Sequence, residues 1–272
     1  MTVWRLLDTG TLPASFNMAI DEALLQLHVP GQSQPTLRFY QWSPPGVSLG
    51  YFQRRHTIDL PACRELGLDV VRRITGGRAV LHQDDLTYSV IGDSSQGLPS
   101  SLDAAYRLLC KGLLAGFRQL GFEAELGREK VRTPQGDICF ARAAIGDLVY
   151  QGRKFVGSAQ TWHGASLLQH GSIMLEPQTR TWQLIIEKDR VEPISEKLTS
   201  RMISLREILG RRMDIGELKR ALKAGMAEAL QVEFQAGELT PREWAVAEEL
   251  AAGKIVEEGI HNYDQELSAT LA

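Results

Sequence analysis

Long apolar stretches are missing from this sequence. No run approaches the roughly 20 apolar residues that a membrane-spanning helix needs. The first ten residues, MTVWRLLDTG, contain no apolar signal-peptide core. We therefore expect neither a membrane partner nor secretion.

Cysteine is also scarce, with Cys63, Cys110 and Cys139 widely separated and no CxxC pair among them. This excludes a zinc ribbon and a thioredoxin-type redox pair. An odd number of cysteines without a signal peptide is typical of a reducing compartment. We therefore expect a cytoplasmic protein without a metal site.

Positive charge is not in excess, since the net charge of the chain is -3. A general nucleic-acid coat needs a strongly basic surface, so we expect no nucleic-acid partner. Hydrophobic residues make up 43% of the 272 residues. That proportion supports a sizeable core and argues against wholesale disorder.

Strand patterns dominate the first two-thirds of the chain. Apolar residues with helical spacing predict a helix from about Ser15 and another over roughly Leu102 to Leu120, ended by Gly121. Strands are predicted at Val3–Leu7, Thr36–Trp42, Val47–Phe52, Leu68–Arg72, Ala79–His82, Leu86–Val90, Gly146–Tyr150, Lys154–Trp162 and Ser166–Leu175.

The last third, about residues 178–255, has a helical pattern. Asp214 with Glu217, and Thr240 with Glu243, are spaced as capping boxes that begin helices. Because strands come first and helices last, the order indicates an α+β fold and not a regularly alternating one.

A glycine pair stands inside the segment Arg72-Arg73-Ile74-Thr75-Gly76-Gly77-Arg78. Paired glycines allow close backbone approach to a ligand, and the arginines have the chemistry to hold phosphate or carboxylate. The segment is neither a P-loop nor a GxGxxG fingerprint. From the residues alone, a tight turn with solvated arginines is the favoured interpretation.

The three cysteines differ in their surroundings. Cys110 lies on the apolar face of the long predicted helix, and Cys63 lies on a short one, so both are predicted to be buried and structural. Cys139 follows a polar, glycine-containing loop with Arg132 and Arg142 nearby, which would favour the thiolate. A catalytic role for Cys139 is the alternative to the commoner structural one.

Lys154 and His170 each permit two interpretations. Lys154 lies between glycine-flanked strands, where it would stabilise charge on a carbonyl oxygen or serve as an exposed edge lysine. His170 would act in acid–base chemistry or lie in the core with its hydrogen bonds satisfied. The core role is the commoner one for any single histidine, including His82.

Several motifs together resemble the biotin/lipoate protein ligase superfamily. They are RRITGGRAVLHQDDLTYS at 72–89, Cys139-Phe140, GRKFVGSAQ at 152–160 and LLQHGSIML at 167–175, with NMAIDE at 17–22. The resemblance runs in order from Asp8 to about Gly253, and its pattern is most similar to the cysteine-dependent octanoyltransferases.

The resemblance implies a fold and a domain organisation. It implies one catalytic domain over residues 1–272, a mixed β-sheet flanked by helices as in class II aminoacyl-tRNA synthetases and biotin-protein ligases. About twenty residues follow Gly253, so we expect no accessory C-terminal domain, and we further expect no cofactor and a monomer.

The resemblance also implies an activity. Such enzymes transfer octanoyl from acyl carrier protein to a lysine of a lipoyl domain or glycine-cleavage H protein. Cys139 corresponds to the nucleophile and Lys154 to the lysine that contacts the acyl carbonyl. The implied substrate-binding residues are Arg73, Thr75, Gly76, Gly77, Arg78, His82, Gly157, Ser158, Ala159, His170 and Gly171.

Two segments depart from the family pattern, and alternatives stay open. Residues 141–147 and the pair Trp162-His163 replace the usual family residues. The alternatives are an ATP-dependent lipoate-protein ligase, an amidotransferase between carrier proteins and a non-catalytic carrier-binding protein. Arginines predicted to dock acidic carriers are Arg54, Arg55, Arg72, Arg73 and Arg153.

Overall fold

Alternating apolar residues build one large mixed sheet. The computed structural model describes residues 2–54, 58–127, 147–186 and 200–256. Within them the large sheet contains β1 (Thr2–Leu12), β2 (Thr36–Trp42), β6 (Asp85–Asp93), β7 (Glu125–Leu126), β8 (Leu148–Tyr150), β9 (Arg153–His163), β10 (Ser166–Met174) and β11 (Val232–Ala236). Their order is β11-β1-β2-β6-β10-β9-β8-β7. β1 runs parallel to β2 and β11, and the other neighbours are antiparallel.

A second, smaller sheet carries the segment before the glycine pair. It consists of β3 (Gly46–Leu49), β4 (Asp69–Arg72) and β5 (Val80–His82), in the order β4-β3-β5. β3 is parallel to β4 and antiparallel to β5.

Helices cover both faces of the large sheet. They are α1 (Ala14–Leu27), α2 (Leu60–Glu65), α3 (Leu102–Gln119), α4 (Thr179–Ile185), α5 (Leu205–Leu209), α6 (Ile215–Leu230) and α7 (Pro241–Ala251). Leu86, Tyr88 and Val90 of β6 pack with α3 and α6 in the main core. Ile91 packs with α1 and α7 on the opposite face, as strand alternation requires.

The predicted α+β fold, a mixed sheet flanked by helices, is confirmed. The helix predicted from Ser15 is α1, and the long helix is α3, which ends before Gly121 at φ +89°. Thr240 and Glu243 form the predicted capping box of α7. Asp214 caps α6 as predicted, while the Glu217 carboxylate accepts from Arg211 at 2.7 Å.

Three details of the predicted elements were wrong. The last third contains a strand, β11, that was not predicted. Its five residues form too short an alternating pattern to be recognised beside strong helix signals. Strand Val47–Phe52 ends at Leu49, because the chain turns at Gly50, whose carbonyl oxygen accepts from Arg72 at 2.9 Å. Leu102, the first of the apolar residues with helical spacing that predicted α3, is 57% exposed and not part of the buried face of the helix.

The sequence predicts no membrane-spanning helix. Among the described residues, every helix is too short or too polar to cross a membrane.

Candidate functional site

A cavity opens between the two sheets, beside α1. It measures about 400 Å³ including the space at its mouth. The large sheet, the small sheet and α1 all contribute to its lining. The lining residues are Met18, Tyr40, Ser48, Arg73, Gly77, Val80, His82, Thr87, Gly157, Ser158, Ala159, His170, Gly171 and Ser172.

The loop of the glycine pair, residues 75–78, reaches the cavity at Gly77 and is called the glycine rim below; Arg73 holds the shape of this loop. The Arg73 guanidinium donates to the carbonyl oxygens of Gly76 and Arg78 at 2.9 and 2.8 Å and to that of Ser48 at 2.8 Å. Gly77 has φ +96°, and a Cβ on Gly50 would lie 2.0 Å from the Gly77 oxygen. Glycine is therefore required on both sides of this contact.

A buried chain of hydrogen bonds links α1 to the glycine rim through His170. The Nδ1 atom of His170 lies 2.9 Å from the Asp21 carboxylate, and Nε2 lies 2.6 Å from the Thr75 hydroxyl. The imidazole ring therefore bridges the Asp21 carboxylate and the Thr75 hydroxyl. The predicted site residues His170 and Thr75 thus fix each other.

A second chain of buried hydrogen bonds joins the large sheet to the small sheet through His82. Its Nδ1 lies 2.8 Å from the Asp85 carboxylate and its Nε2 2.9 Å from the Ser48 hydroxyl. The ring stacks on Trp42, with centroids 3.7 Å apart. Arg73 donates to Ser48 Oγ at 3.1 Å, and to Thr75 Oγ1 at 3.2 Å. Arg73 therefore joins the two chains.

Burial and the neighbouring charges shift the pKa values of His82 and Asp21 in these two chains. Burial lowers the pKa of His82 below its ordinary value, and the Arg73 and His170 charges add to this while Asp85 opposes it. Burial raises the pKa of Asp21, but Arg38, His170 and Tyr40 outweigh it, so the Asp21 carboxyl keeps a lowered pKa. A neutral His82 and an ionised Asp21 follow at neutral pH.

Lys154 lies in β9 but not in the cavity lining. Its Nζ atom is 2.8 Å from the Asp147 carboxylate, and both side chains are buried. The Lys154 N–H donates to the Arg201 carbonyl oxygen and the Lys154 carbonyl oxygen accepts from Ile203, so this end of β9 pairs with the segment around Met202. Lys154 is therefore not an exposed lysine at a strand edge, which was one of its two predicted roles. Its contact with an acyl carbonyl stays a prediction.

The β9–β10 pair supplies the opposite wall of the cavity. Gly157, Ser158 and Ala159 pair with Ser172, Gly171 and His170, respectively. A Cβ on Gly171 would lie 2.5 Å from Ser158 Oγ, so only glycine fits there. The Ser158 hydroxyl is 2.8 Å from that of Tyr88, so it is held in place.

Cys63 and Cys110 are buried, as predicted. Burial raises the pKa of each thiol to about 12, with Asp59 and Asp147 adding to the effect. Such thiols are unreactive at neutral pH. Cys139 lies outside the described residues, so its catalytic role stays a prediction.

Most of the predicted binding residues meet at the cavity. Thr75, Gly76 and Arg78 do not line it, and Thr75 is fully buried behind it. Six lining residues were missed by sequence reasoning: Met18, Tyr40, Ser48, Val80, Thr87 and Ser172. Strand alternation could have identified Thr87 and Tyr40, because it places them on the face of the sheet opposite to Tyr88 and Phe39.

The predicted docking arginines lie in different surroundings. Arg73 is 5% exposed and bonded to the glycine rim, so its prediction as a surface docking residue was wrong. Arg72 and Arg153 are half-buried, the latter 3.7 Å from Glu207, and Arg54 is exposed. Arg55 lies outside the described residues.

The chemistry of the lining favours an alkyl group over a polar ligand. Its hydroxyl and imidazole groups bond one another or the buried carboxylates, and the surface left toward the cavity is mostly carbon. The described residues hold no cluster of three or more potential metal ligands. An apolar slot closed by satisfied polar groups is suited to an acyl chain.

A family model identifies the class of protein. The lipoyl protein ligase A/B catalytic domain matches residues 13–227, most of the chain. This protein therefore belongs to the lipoyl protein ligase A/B catalytic-domain family.

Curated relatives narrow the class further, and each is named octanoyltransferase LipM. The relative from Kyrpidia tusciae is 41% identical over 269 residues, covering 95% of this chain and 98% of the relative. That from Moorella thermoacetica is 42% identical, covering 92% and 94%, and that from Staphylococcus aureus 37%, covering 91% and 94%.

Solved structures share the fold. A lipoate-protein ligase A crystallised with ATP aligns with a TM-score of 0.78 at 24% identity, covering 92% of this chain and 94% of its own. A bipartite lipoate protein ligase from Thermoplasma acidophilum aligns with a TM-score of 0.79 at 24% identity, covering 93% of each. The fold expected from the resemblance is thereby confirmed.

Proposed function

We propose that this protein is an octanoyltransferase of lipoate biosynthesis that acts on carrier-protein substrates. The observation that carries the proposal is its 41% identity to an octanoyltransferase LipM along 98% of that relative. The carbon-lined cavity between the sheets supports it, because an octanoyl chain gains roughly 0.8 kcal/mol for each methylene that it buries.

The finer proposal concerns the route of the acyl group. The Cys139 thiolate attacks the octanoyl thioester carbonyl of acyl carrier protein, and the carrier's thiolate leaves. A neutral lysine amine of a lipoyl domain or glycine-cleavage H protein then attacks the Cys139 thioester. An amide forms, the amine proton passes to water, and the cysteine thiolate is released. No ATP is consumed, since a thioester is already activated.

In this route Lys154 and the glycine rim would stabilise the oxyanion of each tetrahedral intermediate. The buried carboxylate of Asp147, 2.8 Å from Lys154 Nζ, supports the role because it favours a charged ammonium. The cytoplasmic location, the monomeric state and the single-domain organisation stay predictions.

The test is the intact mass of the protein after mixing with octanoyl-acyl carrier protein without ATP. We expect an octanoyl adduct on the wild type, absent from Cys139→Ala, that passes to a lipoyl carrier. Cys63→Ala is the matched control and should keep the adduct. Carrier modification only with free octanoate and ATP would instead identify a ligase, and none under either condition a binding protein.

A further inference from the structure

One row of paired residues crosses four neighbouring strands beneath the cavity. Gly157 of β9 pairs with Ser172 of β10, Ser172 with Thr87 of β6, and Thr87 with Tyr40 of β2. Directly paired residues of antiparallel strands project from the same face of a sheet. All four line the cavity, so together they form a straight trough across the strands.

The size of the side chains changes abruptly along this trough. Its first three residues are small, and the fourth is Tyr40, which is fully buried. Neighbouring strands lie about 4.8 Å apart, so Gly157 to Thr87 spans about 10 Å. An extended octanoyl chain, with C–C bonds of about 1.5 Å, is about 9 Å long. The small part of the trough therefore matches that chain.

The polar groups of the trough are turned away from an occupant by their hydrogen bonds. Ser172 and Thr87 donate to the Asp85 carboxylate at 2.6 and 3.0 Å. The Tyr40 hydroxyl donates to Asp21 at 2.7 Å. With their donors committed, these residues present carbon to the cavity, which explains how hydroxyl-bearing strands accommodate an alkyl chain.

Met18 of α1 stands at the Tyr40 end. It lines the cavity, is 3% exposed, and packs with Tyr40 in a small cluster separate from the main core. The other end of the trough lies on β9, the strand that carries Lys154. The carbonyl end of an acyl group therefore belongs at β9, and its tail points toward α1.

From this arrangement we infer that Met18, backed by Tyr40, closes the trough and sets the longest acyl chain that the protein transfers. The inference rests on the proposed octanoyl transfer. An unbranched methionine side chain fills such an end flexibly, so its length decides how far the tail reaches.

The test is the transfer rate from carrier proteins loaded with hexanoyl, octanoyl, decanoyl and dodecanoyl groups. Met18→Ala removes three side-chain atoms and opens room for about two methylenes. At about 0.8 kcal/mol each, these raise the decanoyl-to-octanoyl rate ratio roughly tenfold. Met18→Phe, which fills the end, shifts the preference to hexanoyl.

Met226→Ala is the matched control, because Met226 is equally buried but packs in the main core on the opposite face. It should lower stability and leave the chain-length profile unchanged. The inference would be overturned if Met18→Ala and Met18→Phe both kept the wild-type chain-length profile. If Met18→Ala does not fold, the profile of Met18→Phe decides alone. A wild type that transfers no octanoyl would instead refute the proposed function. Binding of free fatty acids of different lengths to the same variants would then decide the role of Met18.

Discussion

At the scale of single residues, the fold buries charged side chains in pairs. Arg38 and Asp21 lie 2.7 Å apart, and Lys154 and Asp147 lie 2.8 Å apart. A buried charge is costly unless a partner compensates it. The stability of the fold therefore depends on both partners of each pair, because removing one leaves the other charge buried without compensation.

The variant Asp147→Asn tests how much the pairing of these buried charges stabilises the fold. It leaves the Lys154 ammonium buried without the carboxylate, so we expect the free energy of unfolding to fall by about 3–5 kcal/mol. Urea denaturation measures the loss. The control is Asp147→Asn combined with Lys154→Met, which removes both charges and should recover part of the stability. An Asp147→Asn protein as stable as the wild type would show that the pair does not matter.

The two adjacent glycines of the cavity rim should respond differently to alanine. Gly77 has φ +96°, and its Cβ would lie 2.9 Å from Arg73 Nη2, whereas Gly76 has open space around its Cβ position. Gly77→Ala should cost roughly 1–2 kcal/mol, as left-handed backbone does for L-residues, and should lower activity.

Gly76→Ala is the matched control and should stay within about 0.5 kcal/mol of the wild type. Thermal unfolding and the octanoyl-transfer rate of both variants check the difference. Equal effects at the two positions would contradict the described backbone of the rim.

At the scale of elements, α3 and α6 approach each other through glycines. A Cβ on Gly225 would lie 2.2 Å from the Gly116 nitrogen and 2.3 Å from the Gly112 oxygen. Both neighbours are backbone atoms, so a side chain there forces the helices apart. This contact holds the helical layer against the face of the sheet that the cavity does not use.

Gly225→Ala should therefore destabilise the protein by about 1–3 kcal/mol or more, the cost of overpacking a core. Gly216→Ala lies in the same helix, where its Cβ would meet only side-chain ends at 3.2 Å. That control should be neutral or slightly stabilising, because alanine favours helix by up to about 1 kcal/mol over glycine. Melting temperatures of the two variants give the comparison, and a neutral Gly225→Ala would refute the tight packing.

At the scale of the whole molecule, the two sheets are joined across the cavity by the His82 and His170 chains. His82 belongs to β5 and Asp85 to β6, so their bond spans the sheets. The folded state keeps His82 neutral, since its pKa lies below the ordinary 6.5. The joint between the sheets is thus sensitive to pH.

We expect stability to fall as the pH drops below about 6.5. The unfolded chain then binds a proton at this histidine that the folded protein refuses until its own lower pKa is reached. Asp21, with a lowered pKa, adds a second loss below its ordinary 3.8. Urea midpoints between pH 8 and 5 measure the first step. His82→Asn should flatten it, and an unchanged slope would show that His82 is not the group responsible.

Local patterns in the sequence were enough to predict most elements and most of the cavity residues. Strand alternation, the helical spacing of apolar residues and helix caps located most elements, such as α1 from about Ser15 and the capping box at Thr240, because these signals depend on neighbouring residues alone. The glycine and lysine motifs, with their family resemblance, identified Gly77, Gly157 and most of the other residues that meet at the cavity.

The strand register and the burial of charged residues became visible only in the folded chain. Strand register aligned Gly157, Ser172, Thr87 and Tyr40 in one row, although they lie on four strands far apart in sequence. Packing buried Arg73, which its charge alone would have placed in water. Register and burial arise from contacts between distant segments, which local patterns do not encode.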